Sequence, residues 1–183
     1  MTRIPLLVGL VCARSVDHLN GRKATIRLKW PNDLYDQKGA KLGGILCEGV
    51  AQATSGSGFI VAGIGINCLT LPRPETVSDR MVSATGTDPE ALREQILQEA
   101  QTVFGPINGY EDDDIFSAQL LPEIRSRQYY QPGAVVTWQG GAHPGSGEVL
   151  EIEDHTGILV VRLQSNGEVH RLMSEEISGL REC

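Results

Sequence analysis

Two glycine-containing stretches, Lys41-Leu-Gly-Gly-Ile-Leu46 and Gly63-Ile-Gly-Ile-Asn67, decide how the rest of the chain is interpreted. Glycine weakens a strand because it has no side chain to pack, so glycines grouped within apolar strands indicate that a ligand or another backbone lies close. Gly63 and Gly65 alternate and therefore leave the same face of their strand bare. Two such strands predict the floor of a flat pocket, with Asn67 at the strand end able to donate and accept hydrogen bonds.

The segments around these stretches predict an α+β fold. Residues 24–28, 42–50 and 58–67 have the composition of strands, and short polar turns separate them. Three strands in succession with short connections favour an antiparallel meander. Helices are predicted at 6–20, at 89–103 behind a cap at Thr87 or Asp88, and at about 112–127, where three aspartates begin the segment.

From Gln131 onward the pattern changes to short strands, at 134–138, 148–152, 158–163 and 169–173. The pair Asn166-Gly167 is a hairpin signal. A run of about fifty residues with closely spaced strands predicts a small β-barrel. We therefore divide the chain into residues 1–130 and residues 131–183.

Composition and charge exclude several classes of protein. The 183 residues are 40% apolar and carry a net charge of −7, so neither general disorder nor a cationic surface for nucleic acid is expected. The apolar run at 4–13 is too short to span a membrane. The four cysteines lack the spacing of metal ligands and suit a reducing compartment, so no metal site and a cytoplasmic location are expected.

The stretch Lys29-Trp-Pro-Asn-Asp33 places a lysine at the mouth of a turn that proline stiffens. Such a lysine could hold its ammonium at a fixed point of a pocket. It could also be an ordinary surface lysine, and the spacing alone favours that interpretation.

The three stretches, in this order and spacing, resemble the core motifs of the biotin protein ligases. The helical middle and the terminal β-module also resemble that family's layout, with Glu176-Ile177-Ser178 similar to its closing strand. The resemblance implies a partial class II synthetase-like mixed or antiparallel sheet with flanking helices, followed by a small SH3-like β-barrel.

By this resemblance the chain is an ATP-dependent biotin–[acetyl-CoA-carboxylase] ligase. Such an enzyme forms biotinyl-5′-adenylate and then transfers biotin to a lysine of a carboxyl-carrier domain. Biotin and ATP are the implied substrates, and Mg²⁺ is expected. Lys29 matches the family's essential lysine and is the implied catalytic residue; the implied biotin and adenylate contacts are Lys29, Gly43, Gly44, Ile45, Gly63, Gly65 and Asn67.

The family also has a Gly-Arg-rich loop that closes over biotin, in a stretch that precedes the first helix seen here. This sequence contains no such loop, so we interpret it as the C-terminal part of a catalytic domain plus the β-module, with its activity alone left open. The alternatives are a non-catalytic half-domain or assembly subunit, and a relative of the lipoate ligases. The expected partners are the carrier domain, and either a separate N-terminal half or a second copy of the chain.

Overall fold

The computed structural model describes residues 2–51, 58–68, 87–106, 115–140, 144–174 and 177–182. Its elements, in chain order, are α1 (Arg3–Leu19), β1 (Arg27–Lys29), β2 (Asp33–Tyr35), β3 (Lys41–Ala51), β4 (Gly58–Ile66), α2 (Pro89–Phe104), a π-helical segment (Phe116–Leu120), α3 (Leu121–Arg127), β5 (Val135–Gly140), β6 (Gly145–Ile152), β7 (Leu159–Leu163), β8 (Val169–Leu172) and β9 (Ile177–Glu182). This is the α+β architecture that the sequence predicts.

The first four strands form an antiparallel sheet in the order β1-β2-β3-β4, which confirms the predicted meander. Strand β2 is not indicated by the sequence pattern, because Pro31 marks only the end of the strand before it. Lys29 instead pairs with Asp33, so the proline lies in a tight hairpin after which the chain returns to the sheet.

Strand β1 begins at Arg27, three residues later than predicted. Ala24 has a positive φ of 53°, which removes it from extended backbone. The backbone N–H of Thr25 donates a hydrogen bond to the carboxylate of Asp17 in α1 at 3.1 Å. This N–H is therefore not paired with a neighbouring strand.

The first two predicted helices are confirmed as α1 and α2. Leu7, Leu10 and Val11 of α1 are buried, because this helix lies across the sheet. At the start of α2, the carboxylate of Asp88 accepts the Ala91 N–H at 3.2 Å, which is the predicted cap.

The third predicted helix is described from residue 115 onward and widens locally into the π-helical segment before α3. Pro122 explains the widening, since proline has no N–H to continue the α-helical hydrogen bonds. The three aspartates predicted to begin this helix, at 112–114, lie outside the described residues.

The predicted C-terminal strands are confirmed as β5 to β8, and β9 adds a fifth strand, so that the antiparallel order is β8-β7-β6-β5-β9. Gly167 adopts a φ of 76° in the turn before β8, as the Asn-Gly pair predicts. Ile177 and Ser178 lie in β9, whereas Glu176 lies outside the described residues. Closure of this sheet into an SH3-like barrel stays a prediction, as does the division of the chain after residue 130.

Buried hydrogen bonds tie the C-terminal part of the chain to the turn after β1 and to the segment after α3. The indole N–H of Trp30 donates to the Gly157 carbonyl at 3.0 Å, and the hydroxyl of Tyr130 donates to the Leu180 carbonyl at 2.9 Å. Buried apolar side chains from both sheets also belong to one cluster. The turn that follows Lys29 is therefore held against the C-terminal sheet.

A network of charged side chains ties α1 to α3. Arg127 and Asp17 form an ion pair at 2.6 Å, with side chains only 5% and 4% exposed. Glu123 joins Arg127 at 2.8 Å and Arg14 at 2.6 Å. Burial alone would raise the pKa of Glu123, but the hydrogen bonds from Arg14 and Arg127 outweigh it and hold that pKa below its usual range.

Replacement of Asp17 by Asn tests how much this network contributes to the stability of the fold. We expect Asp17→Asn to lower the free energy of unfolding by about 3 kcal/mol, because removing one partner of a buried pair leaves the other charge uncompensated. Urea denaturation measures the change. Glu90→Gln, in the exposed pair with Arg93, is the matched control and should leave stability unchanged. Equal stability of the two variants would contradict the expectation.

Candidate active site

The sheet register brings the three motifs of the sequence into one row. Lys29 of β1 lies opposite Asp33 of β2, Asp33 opposite Gly44 of β3, and Gly44 opposite Gly65 of β4. Directly opposed residues of antiparallel strands project to the same face of a sheet. One face therefore carries a lysine and a carboxylate at one end of the row and bare backbone at the other.

The face beside Gly63 and Gly65 is open. A Cβ atom added at Gly63 would have the Leu46 carbonyl oxygen as its nearest neighbour at 3.7 Å, and one at Gly65 would have the Gly44 oxygen at 3.8 Å. Both are ordinary contact distances. Leu46, opposite Gly63, is 62% exposed and gives this open face an apolar border. The geometry fits the predicted floor for a flat ligand.

Gly43 and Gly44 have different surroundings. A Cβ atom at Gly43 would overlap the backbone carbonyl oxygen of Gly65, so the close approach of β4 explains this glycine without a ligand. A Cβ atom at Gly44 would lie 2.9 Å from the Asp33 carboxylate, which forms an ion pair with Lys41 at 2.7 Å. That ion pair occupies the space above Gly44.

Ile45 and Asn67 take up different positions relative to the row. Ile45 is 3% exposed, and its side chain packs against α1 beside Gly9. Its backbone is fixed from both sides, since its N–H donates to the Asn32 carbonyl at 2.8 Å and its carbonyl accepts from the Asn32 amide at 2.7 Å. Asn67 follows β4, half-buried, with its N–H donated to the Leu42 carbonyl at 2.9 Å.

Lys29 has defined contacts, which separates it from an ordinary surface lysine. Its ammonium donates to the hydroxyl of Tyr35 at 3.1 Å and lies 4.9 Å from the centroid of the same ring. The ring of Tyr130 is the second aromatic neighbour, at 5.9 Å. Lys29 also borders a shallow surface depression between the start of α1 and the turn at Pro31.

Three neighbours of this row are not indicated by the sequence pattern. They are Tyr35 and Tyr130, which contact Lys29, and Lys41, which pairs with Asp33. Tyr35 could be inferred if β2 were recognised as a strand. Residues 33 and 35 would then share a face, and residue 33 lies opposite Lys29. Tyr130 is brought close by tertiary packing, and no local pattern could have indicated it.

The residues that the structure describes contain no group of three or more histidine, cysteine, aspartate or glutamate side chains able to hold a metal ion. In the same ranges, no helix has both the length and the apolar character needed to cross a membrane.

Comparison with known proteins points to one family. Residues 2–67 match the Biotin/lipoate A/B protein ligase family. A segment of 64 residues, 35% of this chain, is 44% identical to the bifunctional ligase/repressor BirA of Escherichia coli strain K12, and it spans only 19% of that protein.

Solved structures show the same fold over nearly the whole chain. The biotin protein ligase from Aquifex aeolicus in complex with biotin and ATP is similar over 100% of this chain and 72% of its own, with a TM-score of 0.74 and 22% identity. A biotin protein ligase-like protein of unknown function from Silicibacter sp. is similar over 93% of this chain and 70% of its own, with a TM-score of 0.68 and 13% identity.

Alanine substitutions distinguish the glycines that serve strand packing from those that leave a face open. We expect Gly43→Ala to lower the melting temperature strongly, because the new methyl group overlaps backbone that cannot move aside. Gly63→Ala should have a melting temperature close to that of the unchanged protein, because its new methyl group makes only ordinary van der Waals contacts. Thermal unfolding followed by circular dichroism measures both, and a destabilised Gly63→Ala beside a stable Gly43→Ala would show that this assignment is wrong.

Proposed function

We propose that the chain is a member of the biotin/lipoate A/B protein ligase family, which its residues 2–67 match, and that it acts as an ATP-dependent biotin protein ligase. The observation that carries the proposal is the row of Lys29, Asp33, Gly44 and Gly65, which sets a cation beside an open backbone face. The fold shared with a biotin protein ligase in complex with biotin and ATP supports the choice of substrates.

In the first step, a carboxylate oxygen of biotin attacks the α-phosphorus of ATP, and pyrophosphate leaves. The two reactants are both anionic, so a fixed cation between them lowers the barrier. Lys29 is the proposed cation. Lys29 is half-buried and its ammonium is already hydrogen-bonded, so little reorganisation is needed to present it to the reacting oxygens.

The open face offers the place for the flat part of the ligand. We assign the ring system of biotin to the backbone beside Gly63 and Gly65, where nothing projects from β4. Asn67, at the end of the same strand, is the proposed polar contact to the adenylate. Gly44 can contribute only if the ion pair of Asp33 and Lys41 shifts, and Gly43 and Ile45 act through the backbone.

Mg²⁺ is proposed to enter with the phosphates of ATP. Magnesium commonly keeps several waters and binds through substrate phosphates with few protein ligands. The described residues supply no cluster to hold it, so no step of the reaction is assigned to it.

In the second step, the ε-amine of a lysine attacks the acyl carbon of biotinyl-5′-adenylate, an amide bond forms, the amine loses a proton and AMP leaves. A biotin carboxyl-carrier domain is the proposed source of that lysine. The free thiols of Cys12, Cys47 and Cys68 agree with a reducing compartment, and the cytoplasm is the proposed location.

The deciding experiment is ATP-dependent transfer of radiolabelled biotin to a carrier domain, with this chain alone and with the N-terminal stretch of a ligase catalytic domain added. We expect transfer in the complemented reaction, and we expect Lys29→Ala to reduce it by about 100-fold or more, the scale of one electrostatic donor. Lys38→Ala, at an exposed lysine of the β2–β3 turn, is the matched control and should retain activity.

Each other outcome favours a different function. Transfer of lipoate in preference to biotin would assign the chain to the lipoate ligases. Absence of transfer in both reactions, with the fold intact, would favour a non-catalytic assembly subunit. Full activity of Lys29→Ala would remove Lys29 from the mechanism.

We propose that a partner covers the outer strand β4, either an N-terminal half or a second copy of the chain. Leu46, Phe59 and Val61 are 62%, 49% and 51% exposed, and in the described residues β4 pairs only with β3. Exposed strand edges with apolar side chains favour association. Light scattering on the chain alone should give a mass above that of one copy, and a clean monomer would count against a second copy as the partner.

A further inference from the structure

We propose that Tyr35 is a positioning residue for Lys29, and that the C-terminal sheet supports this arrangement through Tyr130. The inference rests on the proposed function, because it concerns where the ammonium of Lys29 lies during adenylate formation. It starts from the hydrogen bond that the ammonium donates to the Tyr35 hydroxyl at 3.1 Å.

Tyr35 is itself held firmly. It is 2% exposed, and its ring packs on that of Tyr129 with centroids 4.8 Å apart. Its backbone pairs with Arg27 of β1 and with Lys41 of β3, so strands on both sides fix it. A lysine side chain has a flexible four-carbon stem and loses much conformational entropy when it is ordered. A rigid hydroxyl at the end of that chain selects one position for the ammonium.

Tyr130 is the second aromatic residue beside the Lys29 ammonium. Its ring lies 5.9 Å from the ammonium, and its hydroxyl donates to the Leu180 carbonyl of β9 at 2.9 Å. Ammonium groups are attracted to the faces of aromatic rings within about 6 Å. Because Tyr130 is 2% exposed and anchored to the C-terminal sheet, that sheet helps to set the position of a side chain in the other sheet.

The acceptor's lack of charge matters for the chemistry. Asp33 lies directly opposite Lys29 in the register, yet its carboxylate is engaged with Lys41 at 2.7 Å. The hydroxyl of Tyr35 is neutral, so it fixes the ammonium without cancelling its charge. An uncharged acceptor orders the ammonium without adding a negative charge of its own beside it, which suits electrostatic stabilisation of an anionic transition state.

Tyr35→Phe removes the hydroxyl and keeps the ring. In the complemented assay we expect kcat for adenylate formation to fall by about tenfold, with KM for ATP and biotin within about twofold, because one charge-assisted hydrogen bond is lost where the transition state needs it. Ser146→Ala is the control. It removes an exposed hydroxyl of β6 that donates to the Gln164 side chain, away from Lys29, so kcat should be unchanged.

The double variant Lys29→Ala/Tyr35→Phe separates positioning from a general structural effect. If Tyr35 acts through Lys29, the double variant should be no slower than Lys29→Ala alone. An equal further loss of kcat in the Lys29→Ala background would overturn the proposal. All rates are measured well below the lowest melting temperature of the set, so that loss of folded protein does not contribute.

The outcomes also separate this inference from the proposed function. If Lys29→Ala is slow while Tyr35→Phe matches the unchanged protein, only the role of Tyr35 is wrong. If Lys29→Ala keeps full activity, the proposed role of Lys29 is wrong, and the role of Tyr35 with it.

Discussion

The candidate site depends on the hydrogen-bond register of one antiparallel sheet. Lys29, Asp33, Gly44 and Gly65 come from four strands and meet only because each lies directly opposite the next. A slip of one residue in β4 would turn Gly65 to the other face. Gly43 helps to secure the register, since its missing side chain allows the backbone of β4 to come as near as it does.

Local sequence patterns predicted the helices, most of the strands and the bare face of β4, because periodicity, caps and glycine spacing are local properties. They did not predict β2. A proline at the end of a strand gives the same sequence signal whether the chain forms a hairpin there or continues into a loop. Without β2, the pairing of Asp33 with Lys41 and the contact of Tyr35 with Lys29 could not be inferred. Those contacts are set by register and tertiary packing.

The same limit explains the different outcomes for the glycines. From the sequence, Gly43, Gly44, Gly63 and Gly65 share one signal, and each could mark a ligand or a close backbone. In the structure, Gly43 allows the close approach of β4, the space above Gly44 is filled by an ion pair, and Gly63 and Gly65 lie on an open face. Only knowledge of what lies opposite each residue can make that distinction.

The hydrogen bond from Trp30 to Gly157 has a consequence for how the molecule unfolds. The indole is 1% exposed, and its acceptor lies in the turn between β6 and β7. Separating the two sheets would leave that N–H without its acceptor and open an apolar cluster that both sheets share. The two sheets should therefore lose structure together in a single transition, although the chain pattern suggests two modules.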